Sequence, residues 1–209
     1  KRMIGAGPKV VDQGGVLSAW AKGEGHQFKR VTGRAPGYVV ETTRGWRAEW
    51  GGTQRPLYLH GQELRFRGES GMPHDVQLAQ LLETDVFSRY TNDMQTQIDN
   101  SLPDEMRWLA MHPQVDTPQS PVLAKRFVIL SNSVEVSQLW LDPKLIAAFE
   151  EAAESWWTDA LMAILTVNRG MLTLRMAGDD IGPAQLDLVG YLFDLGTQRL
   201  RETALQTAA

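Results

Sequence analysis

Two alternating runs within residues 45–70, GWRAEWGGTQRPLYLHGQELRFRGES, restrict what this chain can fold into more than any other stretch. In Glu63-Leu64-Arg65-Phe66-Arg67, Leu64 and Phe66 fall on one side of an extended chain and the three charged residues on the other. Trp46, Ala48 and Trp50 alternate with Arg47 and Glu49 in the same way. Successive side chains of a strand point to opposite faces, so period two marks a strand buried on one side. The stretch reads as part of an antiparallel sheet on which helices pack. It carries no catalytic signature, and neither does any other segment.

The flanking sequence extends the sheet. Residues 27–32 suit a first strand and residues 38–42 a second, followed by a tight turn at Thr43-Arg44-Gly45. Residues 57–60 and 63–67 suggest a second hairpin around Gly61. Residues 126–130, and the hairpin of 160–167 with 171–176 around Asn168-Arg169-Gly170, add three more strands. Helices are expected over 73–90, where Val76, Leu78, Leu81, Leu82, Val86 and Tyr90 recur at three- and four-residue spacing, and in a short stretch ending at Met111. Asp142-Pro143 predicts a helix start with Asp as N-cap and Pro at the first helical position. Gly182-Pro183 predicts a last helix to about Leu205, with Gly190 and Gly196 inside it. The fold class is therefore α+β, a largely antiparallel sheet of about six to eight strands packed against about four helices. Residues 1–25, rich in Gly and poor in pattern, are expected to be a flexible arm, and 26–209 a single domain. The turns at Gly45 and Gly170, each followed by a strand and then a proline-led helix, suggest a degenerate duplication of a hairpin-helix unit; reuse of Gly in turns and Pro at helix starts explains the echo as well.

Composition mainly excludes. The absence of cysteine rules out disulfides, thiolate catalysis and Cys-based zinc sites. No apolar run reaches the roughly 18–20 residues that a membrane-spanning helix needs. No secretory leader is visible, so the cytoplasm is the expected compartment. The chain opens on Lys1 and reads as an excised piece, leaving open a membrane tether upstream. The net charge of −4 hides an asymmetry: residues 1–75 hold 12 Lys and Arg against 7 Asp and Glu, and the remainder is strongly acidic.

Residues able to carry chemistry are scattered. His26, His60, His74 and His112 form no metal-ligand spacing, so neither a tightly bound metal nor any other cofactor is expected. The acidic groups Asp104-Glu105, Glu150-Glu151-Glu154 and Asp179-Asp180 suit a helix start, a solvated helix face and a turn. Nucleophile-elbow, phosphate-loop and dinucleotide fingerprints are absent. Of the adjacent Trp156 and Trp157, one is expected in the core and the other is a candidate surface anchor.

Glu49-Trp50-Gly51 with Gln54-Arg55, then Gly61 with Glu63-Leu64-Arg65 and Arg67, then Glu105-Met106-Arg107-Trp108-Leu109 form a pattern, EWGxxQR…GxELRxR…EMRWL. In this the chain resembles a group of uncharacterised bacterial proteins. The resemblance implies a bacterial source and no reaction. The expected role is a non-enzymatic soluble binding or interaction domain, part of a larger protein, with a hydrolase assembled from loop His and carboxylate residues as the alternative. Arg47, Arg55, Arg65 and Arg67 are the candidate site, a basic sheet face for a partner protein or an anionic small ligand. Internal pairing with Glu49 and Glu63 is the competing account of the same arginines. Nucleic acid is not expected on an acidic chain without a basic stripe.

Overall fold

The alternating runs at Trp46 and Glu63 do form neighbouring strands, at the centre of one continuous sheet. The computed structural model describes residues 11–34, 37–53, 59, 61–82 and 111–209. In chain order the elements are α1 (Gly14–Glu24), β1 (Gln27–Val31), β2 (Gly37–Glu41), β3 (Trp46–Gly52), β4 (Gln62–Glu69), β5 (Leu78–Leu82), α2 (Pro121–Arg126), β6 (Phe127–Ser131), α3 (Val134–Trp140), α4 (Pro143–Ser155), β7 (Ala163–Asn168), β8 (Met171–Ala177) and α5 (Pro183–Thr207). The eight strands lie in the order β1-β2-β3-β4-β8-β7-β5-β6, every neighbouring pair antiparallel. The protein is therefore α+β.

Register decides which side chains meet the helices. Tyr38, Trp50, Leu64, Met176 and Ala163 stand in one line across the sheet, and Val40, Ala48, Phe66, Leu174 and Leu165 in the next. All ten are buried in a single core with residues of α1, α3, α4 and α5. Of the two glycines that weaken α5 as a helix, Gly190 makes room for this packing, whereas a side chain at Gly196 would meet only ordinary van der Waals contact. A Cβ at Gly190 would stand 3.3 Å from the Trp20 ring, and one at Gly196 3.7 Å from that of Trp140, whose Nε1 donates to the Gly196 carbonyl at 3.0 Å. Tertiary packing thus offsets the propensity cost of about 1 kcal/mol per glycine. The β7–β8 turn forms on Arg169 (φ 50°) and Gly170 (φ 74°), the left-handed pair that a two-residue hairpin requires.

The residues around Asp142 behave as their types dictate. The Asp142 carboxylate accepts from the Leu145 amide at 2.8 Å, and Pro143 opens α4. Asp142→Ala is expected to lower stability by about 1 kcal/mol through the lost cap, measured by urea unfolding; an unchanged midpoint would show that the cap contributes nothing.

Three expectations need correction. Gly14–Glu24 is a helix rather than part of a loose arm, and Leu17, Trp20 and Ala21 are buried at helical spacing. Leu78–Leu82, expected to be helical, is a strand between β6 and β7. Leu78, Ala79, Gln80 and Leu82 are all buried, so the strand is covered on both faces and shows no alternation; apolar residues in such a run fit a helical template just as well. The first hairpin is thus followed by a strand, whereas the second is followed by α5. Trp156 and Trp157 are both buried and stack at 5.6 Å, so neither is a surface anchor. Helix α2 was not expected. The expected helix before Met111, the expected hairpin strand at 57–60 apart from Leu59, and residues 83–90 lie outside the described residues.

Candidate ligand-binding face

The opposite face of the sheet is divided. Over β5, β6 and β7 it is apolar and buried, with Ala79, Val128, Leu130 and Ile164 outside the main core. Over β3, β4 and β8 it is polar. Glu49, Arg65 and Arg175 are directly opposite one another in one line, and Arg47, Arg67 and Thr173 in the next. Like charges placed opposite each other on neighbouring strands repel, so both lines need compensation.

Glu63 compensates the first line. Its carboxylate is 2% exposed and accepts from Arg175 at both ends of a fork, Nε to Oε1 at 2.6 Å and Nη2 to Oε2 at 2.9 Å. Arg65 Nε stands 3.2 Å from the same Oε1 and 3.9 Å from Glu49. Burial by itself would raise the Glu63 pKa, but the Arg175 fork and the nearby Arg65 charge outweigh it and hold the carboxyl below its ordinary value. Glu49 compensates Arg47, whose Nε lies 2.7 Å from its carboxylate. Internal pairing therefore accounts for Arg65 and, in part, for Arg47.

Arg67 differs. It forms no ion pair among the described residues, and Arg47 is its direct partner in the register. The two arginines share an open groove of about 410 Å³ with Glu41, Glu69 and Met171. Glu41 is already engaged by Lys29 at 2.9 Å. Arg55, the fourth candidate, lies outside the described residues. Sequence reasoning missed Arg175. The alternation of Leu172-Thr173-Leu174-Arg175 was visible, but that β8 lies beside β4 was not.

The other charged groups near this end are structural. Asp194 on α5 accepts from Trp46 Nε1 at 2.9 Å and pairs with Arg44 at 2.6 Å, while Arg201 donates to the carbonyls of Arg44, Gly45 and Glu69. Together they fasten the β2–β3 turn to the last helix. The described histidines lie apart. His26 is wedged between Trp20 and Trp46, where burial pushes its pKa down. His112 contacts Gln77 at 2.7 Å, also with its pKa pushed down by burial, and His74 is exposed beside Gly170. Among the described residues no group of three or more His, Asp or Glu is placed to hold a metal ion. Among them, too, no helix is long and apolar enough to cross a membrane.

These features define an α+β domain with one helix-covered sheet face and one partly open polar face. Among solved structures, the fold is similar to the crystal structure of the mycobacterial trehalose monomycolate transport factor A, TtfA, with a TM-score of 0.52 and 13% sequence identity over 90% of this chain and 94% of that one. At that identity the likeness is one of fold. No protein-family model and no curated protein matches the chain.

Proposed function

We propose that the chain is a non-enzymatic binding domain of a bacterial protein, working in the cytoplasm, and that the groove at Arg47 and Arg67 receives an anionic group of a small ligand or partner. One observation carries the reading: Arg67 lies opposite a second arginine without a carboxylate of its own among the described residues. Two guanidinium groups at neighbouring strand spacing form a natural clamp for one phosphate or carboxylate, because each presents a planar fork of donors. A fold shared with a protein named as a transport factor agrees with binding rather than catalysis.

Titration with inorganic phosphate, followed by the shifts of arginine side-chain Nε–H signals, tests the reading. The signals of Arg47 and Arg67 are expected to move together while those of Arg65 and Arg175 stay in place. Arg67→Ala should lower the affinity about tenfold while changing stability by no more than about 0.5 kcal/mol, as for a surface substitution without partners. No response to phosphate in the wild type, or equal affinity in the variant, would remove the groove from consideration.

A further inference from the structure

We propose that the outer edge of β1 is a docking strand for an acidic extended segment of a partner protein. A sheet of eight strands in open order has two edges, and this chain treats them differently. At the β6 edge Gln114 bridges to Leu130, the Val115 amide donates to the Ile129 carbonyl at 2.7 Å, and the Ser131 amide donates to the Pro113 carbonyl at 3.1 Å. All five residues of β6 are buried, so that edge is closed. At the β1 edge the ladder to β2 uses one side of the strand, four of its five residues are exposed, and Val31 keeps 51% of its surface. Backbone donors and acceptors on the outer side of such a strand form a template for one more strand.

Charge selects the occupant. Lys29 and Arg30 are exposed on β1, and Lys22 and Arg34 are exposed shortly before and after it in the chain; Glu24 precedes the strand, and the exposed Asp12 carboxylate lies within reach of the Arg30 charge. Lys29 shares Glu41 at 2.9 Å, a pair whose two side chains are 55% and 42% exposed and so remain open to exchange. A second copy of the chain is a poor occupant, because antiparallel pairing of β1 with itself sets Lys29 and Arg30 against the same cations. An acidic strand meets no such penalty. Phe28, half-buried and stacked on Tyr38 at 5.5 Å, and Val31 bracket the two cations. The best complement is therefore an apolar-acidic-acidic-apolar strand, with carboxylates facing Lys29 and Arg30.

The capped peptides STVEEVTS and STVKKVTS test this on the full chain by calorimetry and amide hydrogen exchange. The acidic peptide is expected to bind at least about tenfold more tightly, to slow exchange within Gln27–Val31, and to weaken as salt rises. The double variant K29E/R30E, at solvent-exposed positions, should reverse the preference, and Arg67→Ala should leave it unchanged, which separates this edge from the arginine groove. Equal affinity for the two peptides, protection appearing away from β1, or concentration-dependent dimerisation through β1 would each overturn the proposal.

Discussion

Deleting residues 1–25 is expected to cause a large loss of thermal stability, because the stretch contains a packed helix. α1 places Leu17, Trp20 and Ala21 against the sheet and α5, each 6% exposed or less. The helix is fastened at its start, where the Asp12 carboxylate accepts from the Gly14 amide and from the Tyr38 hydroxyl, all at 2.7 Å. Those two donors, the hydroxyl foremost, hold the Asp12 carboxyl below its ordinary range. Trp20 is the anchor. Its ring meets His26 at 5.6 Å and Phe66 at 6.3 Å, and it fits against Gly190. Trp20→Ala alone should cost about 3–5 kcal/mol through lost transfer energy and the cavity left behind. For a chain of this size that corresponds to a melting temperature lower by roughly 6–20 °C. Trp20→Phe should cost much less, since the indole Nε1 is buried without a hydrogen-bond partner among the described residues and its removal strands nothing. Differential scanning calorimetry of the three variants decides the point. A deletion variant melting within a few degrees of the parent would show that α1 is dispensable.

That helix shows where the sequence was legible and where it was not. Leu17, Trp20 and Ala21 have helical spacing, but six glycines in residues 5–25 obscured it. The glycine content of this stretch suits an arm, whereas the three-and-four spacing of its apolar residues marks the helix. The strands buried on one face were readable, because β3 and β4 must alternate when one side faces helices and the other does not. β5 was unreadable for the opposite reason: with neighbours on both edges and cover on both faces, it has no polar side to reveal its period. The helix starting at Asp142 was readable because its cap is local chemistry.

The candidate face was half legible for a similar reason. Arg47, Glu49, Glu63, Arg65 and Arg67 are close in sequence, and alternation alone puts them on one side of a hairpin-like pair. What neutralises them is not local. Arg175, 112 positions from Glu63, completes the pair through a strand order that no nearby residue encodes. The distinction between the engaged Arg65 and the unengaged Arg67 is a consequence of that topology.

Removing the Glu63 carboxylate is expected to be as damaging as removing Trp20. Glu63 is 2% exposed, and its neighbours Arg175 and Arg65 are 16% and 20% exposed, so the cluster sits largely out of water. Breaking a buried pair from one side costs about 3–5 kcal/mol, mainly because the remaining charge loses its compensation. Glu63→Ala should fall near the lower end, since both arginines keep some access to solvent. The dependence on pH follows from the sign of the shift. The folded carboxyl titrates below its unfolded value, so its contribution is fully present above the ordinary glutamate range near about 4.3 and is lost as pH falls through the folded value. Urea midpoints of the wild type should therefore decline as pH drops below that range, and Glu63→Gln should lack this part of the decline while starting from lower stability at neutral pH. A double-mutant cycle of Glu63→Ala with Arg175→Ala should return a coupling of about 1–3 kcal/mol. Additive losses, with parallel pH profiles for the wild type and Glu63→Gln, would show that this carboxylate does not hold β4 and β8 together.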